Sequence, residues 1–384
     1  MAPSTLAYVT PAVLRWARES TGYSVSEAAT KIGVRSWQLE AAEEGVDLLT
    51  LRQAEKAAAA YERPLAALYL PSPPPEEPQE AQFRRLPGAP SPPWPVEMQL
   101  LARRVRERQE AAGDLYELLE EEPLWPEVAR QIVATPEASM ASVVRGLLEL
   151  SREEQEHWGS TPSVDLYAPL RAWVDALEGL GVLVMQDGSM PLEQMRGFAS
   201  QHPTVPAVVI NSTDDPRARA FSAIHELGHL ILAARGQAPG PRTEQWCNEF
   251  AAEVIVPTDW LREIVERAAG LGAEEVVARV ARTFSVTPLA AAIRVRRSGA
   301  LPEDEVEAVV EKLRSSSRSE ADRPGGGNYY RNVIGHLGPA FIRLVFAALD
   351  GQAVTYPTAS SLLGNVKVNN FDTLREHLAR RTDS

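Results

Sequence analysis

The sequence predicts a predominantly helical α+β protein built from several segments. Apolar residues recur at helical spacing through most of the chain, whereas short strand-like segments are predicted between residues 181 and 210. Prolines crowd residues 71–95, and a second stretch at 315–327 is rich in Ser and Gly. At 384 residues the chain has room for about two or three hydrophobic cores. We therefore expect a helical N-terminal domain (1–70), a proline-rich linker (71–95), a helical spacer (96–160), a mixed domain (161–314), a flexible joint (315–327) and a helical C-terminal region (328–384).

Four short helices are expected in the N-terminal domain, over residues 12–19, 25–32, 35–43 and 51–61. Gly22, Gly33 and Gly45 separate them, and Ser24 and Thr50 are suitable N-caps. These features predict a small helical module.

Further along, helical segments between residues 96 and 150 end at prolines 123, 126 and 136. Strands are predicted at 181–185, 196–200 and 205–210, followed by helices at 215–234 and 243–256, the second of which ends at Pro257. Two more helices are expected within 274–297. These two helices carry Arg279, Arg282, Arg294, Arg296 and Arg297. The arginines form either a second nucleic-acid contact or, as we favour, the solvated basic face of a helical pair packed on the domain.

Composition limits the location and the partners of the protein. The single cysteine, Cys247, excludes an internal disulfide and fits a reducing compartment. Apolar runs stay well short of the roughly 20 residues that span a bilayer, and the N-terminus lacks the layout of a secretory signal. We expect a cytoplasmic protein without membrane contact. The formal charge of -13 gives the whole chain no attraction for nucleic acid, so any DNA contact must be local.

The segment from His225 to His229 has the pattern H-E-x-x-H within an apolar predicted helix. The two histidines lie one turn apart, so both imidazoles can bind one ion. Glu226 lies beside them and can take a proton from water activated by the metal. The alternative is a chance coincidence on a packed helix, but buried histidines beside a carboxylate would then need separate polar partners. The pattern predicts a metalloprotease.

A catalytic zinc needs a third protein ligand, and the next helix offers Glu244, Glu249 and Glu253. We favour Glu244, because Asn248 lies one turn further along the same face and could orient a histidine. The alternative is that Glu244 is a solvated charge at a helix start, which the helix dipole favours. Cys247 is expected to be a small core residue rather than a ligand.

These two motifs resemble the ImmA/IrrE metallo-endopeptidase family, on residues 219–232 and on the run from Glu244 to Pro257. The strand and turn at 208–212 are also similar, so the resemblance covers roughly residues 165–260. It implies a zincin-like protease core with a small sheet, and it assigns the third ligand to Glu244. It also implies zinc-dependent cleavage of a helix-turn-helix repressor encoded nearby, which switches on phage, mobile-element or stress-response genes. The ligand types alone admit Mn²⁺ or Fe²⁺ as well as Zn²⁺.

The N-terminal module is similar to XRE-type helix-turn-helix domains, on residues 24–29 and 33–40. Such a fold would present Arg35, Ser36, Trp37 and Gln38 to a major groove. Acids slightly outnumber bases across residues 12–63, however, and such a surface repels phosphate. DNA binding and a protein-docking or dimerising role, including a homodimer, therefore both remain open.

The C-terminal run at 325–332, Gly-Gly-Gly-Asn-Tyr-Tyr-Arg-Asn, resembles longer members of the same family. Tyr330 is a candidate for supporting the oxyanion during peptide hydrolysis, and packing of this ring on the helices is the alternative.

The sequence as a whole favours a zinc endopeptidase with one metal ion, which acts on a protein substrate. The competing hypotheses are a DNA-binding transcription regulator and an antitoxin-like protein, in which the metal site is sensory or structural. Glu226 favours the enzyme, because a structural site has no use for a base.

Overall fold

The computed structural model of the protein describes residues 5–75, 94–160, 165–238, 240–316 and 328–381. Most of the predicted linker (76–93) and most of the predicted joint (317–327) lie outside the described residues. The described residues group into two compact units, one up to residue 106 and one from residue 107 onwards. Nineteen helices and five strands occur in the described ranges, which confirms the predominantly helical α+β class.

The first unit is a helical bundle with a two-stranded antiparallel ribbon, in which Leu6 pairs with Thr50. Ser24 and Thr50 form capping boxes with Glu27 and Gln53, which confirms both predicted N-caps. Its elements are β1 (Leu6–Ala7), α1 (Pro11–Glu19), α2 (Val25–Ile32), α3 (Ser36–Glu43), β2 (Leu49–Thr50), α4 (Leu51–Ala60), a 3₁₀ turn (Leu65–Tyr69) and the first half of α5 (Val96–Leu119). The ribbon is too short to be detected from periodicity.

Four helices of the second unit lie between α5 and the sheet in the chain. They are α6 (Trp125–Ala134), α7 (Met140–Leu147), α8 (Arg152–Ser160) and α9 (Ala168–Gly179), with a 3₁₀ turn at Glu137–Ser139. The large ring of Trp173 in α9 is almost fully buried in the main core. This helical region was expected from the proline-bounded apolar segments.

The second unit contains a three-stranded mixed sheet in the order β3-β5-β4. The strands are β3 (Leu183–Asp187), β4 (Gly197–Ser200) and β5 (Ala207–Asn211). Central strand β5 is buried along its whole length, parallel to β3 with Leu183 opposite Ala207, and antiparallel to β4 with Gly197 opposite Ile210. All three predicted strands are present, displaced by up to two residues at their ends.

The helices that follow the sheet complete the core. They are α10 (Pro216–Ala234), α11 (Pro241–Ile255), α12 (Thr258–Arg267), α13 (Ala273–Thr283), α14 (Pro288–Ser298) and α15 (Glu303–Ser316). Helix α10 packs on the sheet and on α11, so strands and helices enclose one apolar core. In the predicted basic face, Arg294 pairs with Glu253 and Arg296 pairs with Glu307.

The C-terminal helices are α16 (Tyr329–Leu337), α17 (Pro339–Asp350), α18 (Tyr356–Leu362) and α19 (Phe371–Ala379), with a 3₁₀ turn at Val368–Asn370. The buried carboxylate of Glu178 in α9 accepts the Ala340 N–H at 2.9 Å and a bond from Arg343 at 2.6 Å. It therefore caps the N-terminus of α17, where the helix dipole favours a negative charge.

Across the described residues, no single helix combines the length and the apolar character needed to cross a membrane. Two helix pairs pass that test only when taken together, and they are bent by 113° and 92°.

Candidate metal centre

The start of helix α10 is fixed by local bonds. Asp215 accepts the Arg217 N–H at 2.9 Å, and Pro216 occupies the first helical position, where no N–H is needed. The helix is buried on most of its surface, including Ile224 and Leu227. His225 and His229 therefore sit on a helix that is held by the core on nearly every side.

Helix α11 lies against α10 at a glycine. A Cβ on Gly228 would be 3.1 Å from the Cys247 sulfur and 3.3 Å from a ring carbon of Phe250. Only hydrogen fits comfortably there, so Gly228 sets the short distance between the two helices. This packing brings Glu244 of α11 to the histidines of α10.

The far end of α11 is anchored by side chains from three other helices. Arginines near a helix C-terminus satisfy free carbonyls and complement the helix dipole. The bonds run from Arg145 to the Val254 carbonyl (2.6 Å), from Gln155 to the Ile255 carbonyl (3.2 Å) and from Arg294 to the Val256 carbonyl (2.9 Å).

His225, His229 and Glu244 converge on one point, as predicted. The two Nε2 atoms are 3.2 Å apart, His225 Nε2 lies 3.3 Å from Glu244 Oε2, and His229 Nε2 lies 3.2 Å from Glu244 Oε1. Ligands at 2.0–2.1 Å from a tetrahedral zinc would be about 3.3–3.4 Å from each other. The observed spacings fit that arrangement. Within the described part of the chain, these three residues form the group of His, Cys, Asp or Glu side chains that could hold a metal ion.

The protonation states also suit a metal. Burial, and then the neighbouring His225, lower the pKa of His229 to about 4, so its imidazole is neutral at pH 7. A hydrogen bond with His225 lowers the pKa of Glu244, which keeps the carboxylate ionised. Neutral imidazole and ionised carboxylate are the forms that bind a cation.

Glu226 lies beside the cluster and is 4 % exposed. Burial, followed by the charge of Glu244, raises the pKa of Glu226 well above its usual value, and a bond from the Ala199 N–H partly offsets this. Its Oε2 atom is buried without a hydrogen-bond partner in the described structure. A buried carboxyl group with a free oxygen next to a cation-binding cluster is suited to proton transfer.

Residues 177–296 match the Peptidase_M78 family model, described as an IrrE N-terminal-like domain. The match runs from the end of α9 into α14 and includes every residue of the cluster. It supports the predicted ImmA/IrrE resemblance and indicates a metallopeptidase of the IrrE/ImmA type. A metal, typically zinc, is implied by this family. None of the curated proteins compared with the chain matches it.

The other two glutamates considered as the third ligand, Glu249 and Glu253, bond to residues outside the cluster. Glu249 is exposed and accepts a bond from Gln245 at 2.9 Å. Glu253 accepts bonds from Thr258 and pairs with Arg294. Burial raises the pKa of Cys247, so this thiol stays protonated. The geometry therefore favours Glu244 as the third ligand.

Two further predicted residues, Asn248 and Tyr330, have described contacts with groups other than the metal-binding side chains. Asn248 is exposed and donates to the backbone carbonyl of Glu244 at 2.9 Å, which is a bond within its own helix. The Tyr330 ring stacks on His377 with centroids 4.9 Å apart and also contacts Tyr329. The described contacts of Tyr330 thus lie among the C-terminal helices.

The predicted DNA-contact residues lie at the start of α3. Arg35, Ser36 and Trp37 are exposed, and the Gln38 side chain accepts the Arg35 N–H at 3.0 Å. The exposed side chains at this position are accessible to DNA or to a partner protein.

Two residues around the site were missed from the sequence, namely Gly197, which lies against Glu226, and Gln109, which bonds to Ser200 at the end of strand β4. A glycine inside a predicted strand can indicate close approach of another group, and Gly197 carries that signal. Gln109 lies on a long polar helix without any such signal.

Proposed function

We propose that this protein is a zinc-dependent endopeptidase whose substrate is a helix-turn-helix transcriptional repressor, so that cleavage derepresses phage, mobile-element or stress-response genes. The observation that carries the proposal is the convergence of His225, His229 and Glu244 beside the buried carboxyl group of Glu226. Three protein ligands are typical of catalytic zinc sites, whereas structural sites have four.

In this mechanism His225, His229 and Glu244 hold the ion, and Glu226 transfers the proton. Bound zinc would polarise the scissile carbonyl and make water a better nucleophile. Glu226 accepts a proton from the attacking water and returns it to the leaving nitrogen. Burial raises the pKa of Glu226, which favours the protonated form that returns the proton to the leaving nitrogen.

The test uses the purified full-length protein, zinc and the helix-turn-helix repressor encoded next to its gene. We expect the parent protein to cut this repressor at one site and Glu226→Gln to bind zinc without cutting. Glu249→Gln is the matched control, because Glu249 is exposed on the same helix as Glu244 and accepts a bond from Gln245. Cleavage by Glu226→Gln at the parent rate would contradict the mechanism.

A DNA-binding regulator is the second candidate, favoured by the exposed first turn of α3, where Trp37 is 55 % exposed. A gel shift with the promoter of the adjacent operon tests it. Arg35→Glu should abolish a real groove contact, whereas Arg52→Glu, an exposed arginine on α4, serves as the control. Equal binding by both variants would reject a recognition role for α3.

A further inference from the structure

Strand β4 passes Glu226 with a glycine at the point of closest approach. A Cβ on Gly197 would lie 3.2 Å from both Cγ and Oε1 of Glu226, and 2.9 Å from the carbonyl oxygen of Val209. The backbone of Gly197 has an ordinary strand conformation, which residues with a side chain can also adopt. The need for glycine therefore comes from what lies against it.

The strand has little freedom to retreat, because buried amides hold it at both ends. Before the strand, the Asn211 side chain donates to the Met195 carbonyl at 2.8 Å. At its end, the Gln109 side chain donates to the Ser200 carbonyl at 3.0 Å and accepts from the Ser200 hydroxyl at 2.8 Å. Asn211 and Gln109 are 0 % and 1 % exposed, so these bonds form in a dry environment where breaking them is costly.

The same strand packs against the side chain of Glu226. Its Cγ and Oε1 lie against Gly197, and its Oε2 atom has no hydrogen-bond partner in the described structure. The Glu226 side chain is thus enclosed by helix α10 on one side and by the backbone of β4 on the other.

We propose that Gly197 is a positioning residue for Glu226: its missing side chain lets the backbone of β4 lie against the carboxyl group, with Oε1 packed on the strand and Oε2 free for proton transfer. The inference rests on the proposed peptidase function, because it assigns the placement of the group that moves the proton. In this proposal Gly197 acts through Glu226, and the three atoms nearest to its added Cβ do not belong to a metal ligand.

A methyl group at this position must displace either Glu226 or the strand by a few tenths of an ångström. A misplacement of about 1 Å in a reacting group can reduce the rate about 100-fold. The atoms nearest to the added methyl group belong to Glu226 and Val209 and not to a metal ligand, so the loss should appear in kcat rather than in zinc affinity.

The experiment compares Gly197→Ala with Gly146→Ala in the full-length zinc protein. Gly146 lies on α7 with no atom within 4 Å of an added Cβ, and it is therefore the matched control. For Gly197→Ala we expect kcat on the cleaved repressor to fall at least about tenfold. KM and the dissociation constant for zinc should change less than twofold, and the control should match the parent. An unchanged kcat would overturn the proposal, and so would a loss of kcat with an equal loss of zinc affinity.

A second measurement needs neither substrate nor zinc. The loss of melting temperature caused by Gly197→Ala is compared in the parent and in Glu226→Ala, both with a chelator present. A smaller loss in Glu226→Ala is expected, because the close contacts with Cγ and Oε1 of Glu226 are then removed and that with the Val209 carbonyl remains. Equal losses would show that Gly197 does not act on Glu226. If the parent cuts no repressor, the proposed function fails, and this second measurement alone decides the role of Gly197.

Discussion

Replacing Arg145 by methionine should destabilise the second unit by about 3 kcal/mol. The guanidinium donates to the carbonyls of Val254 (2.6 Å) and Leu150 (3.0 Å) and to the Gln155 side chain (2.5 Å). It also lies 4.4 Å from the ring centroid of Trp260. Methionine retains most of the apolar stem but leaves these acceptors without a donor.

The magnitude follows from opposing terms. Each buried acceptor that loses its partner costs about 1–3 kcal/mol, and loss of the cation–π contact costs about 1 kcal/mol. Part of this loss of stability is offset, because burial of the guanidinium in the parent is itself unfavourable and lowers the pKa of Arg145 to about 10. A net loss of about 3 kcal/mol is what remains.

The assay is urea unfolding followed by far-ultraviolet circular dichroism, with Arg152→Met as the control. Arg152 also faces Trp260, at 5.4 Å, but its partners Glu156 and Glu263 are partly exposed, at 42 % and 44 %. Ion pairs of that kind contribute less than about 1 kcal/mol. Equal losses in the two variants would refute the view that Arg145 anchors the end of α11.

Two further predictions concern packing and pH. Gly228→Ala should lower the melting temperature of the metal-free protein, because the new methyl group meets the Cys247 sulfur at 3.1 Å. The decrease in melting temperature should be smaller in a Cys247→Ala background. An equal decrease in both backgrounds would contradict this contact. Burial raises the pKa of Glu178 to about 7, above its unfolded value, so its contribution to stability is present at low pH and is lost as the pH rises through 7. The stability of the parent relative to Glu178→Gln, measured by urea unfolding, should therefore fall between pH 5 and pH 8, and a rise would show that the ion pair with Arg343 outweighs burial.

The local features of the site could be predicted from the sequence. The spacing of His225 and His229 fixes their common direction on any helix, and Asp215 and Pro257 bound the helices that carry the site. Apart from the family resemblance, Glu244 could be favoured over Glu249 and Glu253 only by a weak argument from its neighbour Asn248, and Asn248 in fact bonds to its own helix. The better reason is three-dimensional, because Glu253 is already paired with Arg294.

What the sequence did not provide are the contacts between distant segments. The strand order β3-β5-β4, the bond between Gln109 and Ser200, and the approach of Gly197 to Glu226 join residues that are far apart in the chain. Periodicity and capping report only on neighbours within a few turns, so they do not specify which strand lies beside Glu226. Gly197 could have been noted as a strand glycine, but its partner could not have been named.

Anomalous diffraction at the zinc edge, from crystals grown with zinc, tests the central claim most directly. One strong peak per chain is expected, bonded to Nε2 of His225, Nε2 of His229 and a carboxylate oxygen of Glu244, at about 2.0–2.2 Å. A peak at any other site, or a Glu244 side chain turned away into solvent, would contradict the proposal that these three residues form a catalytic metal centre.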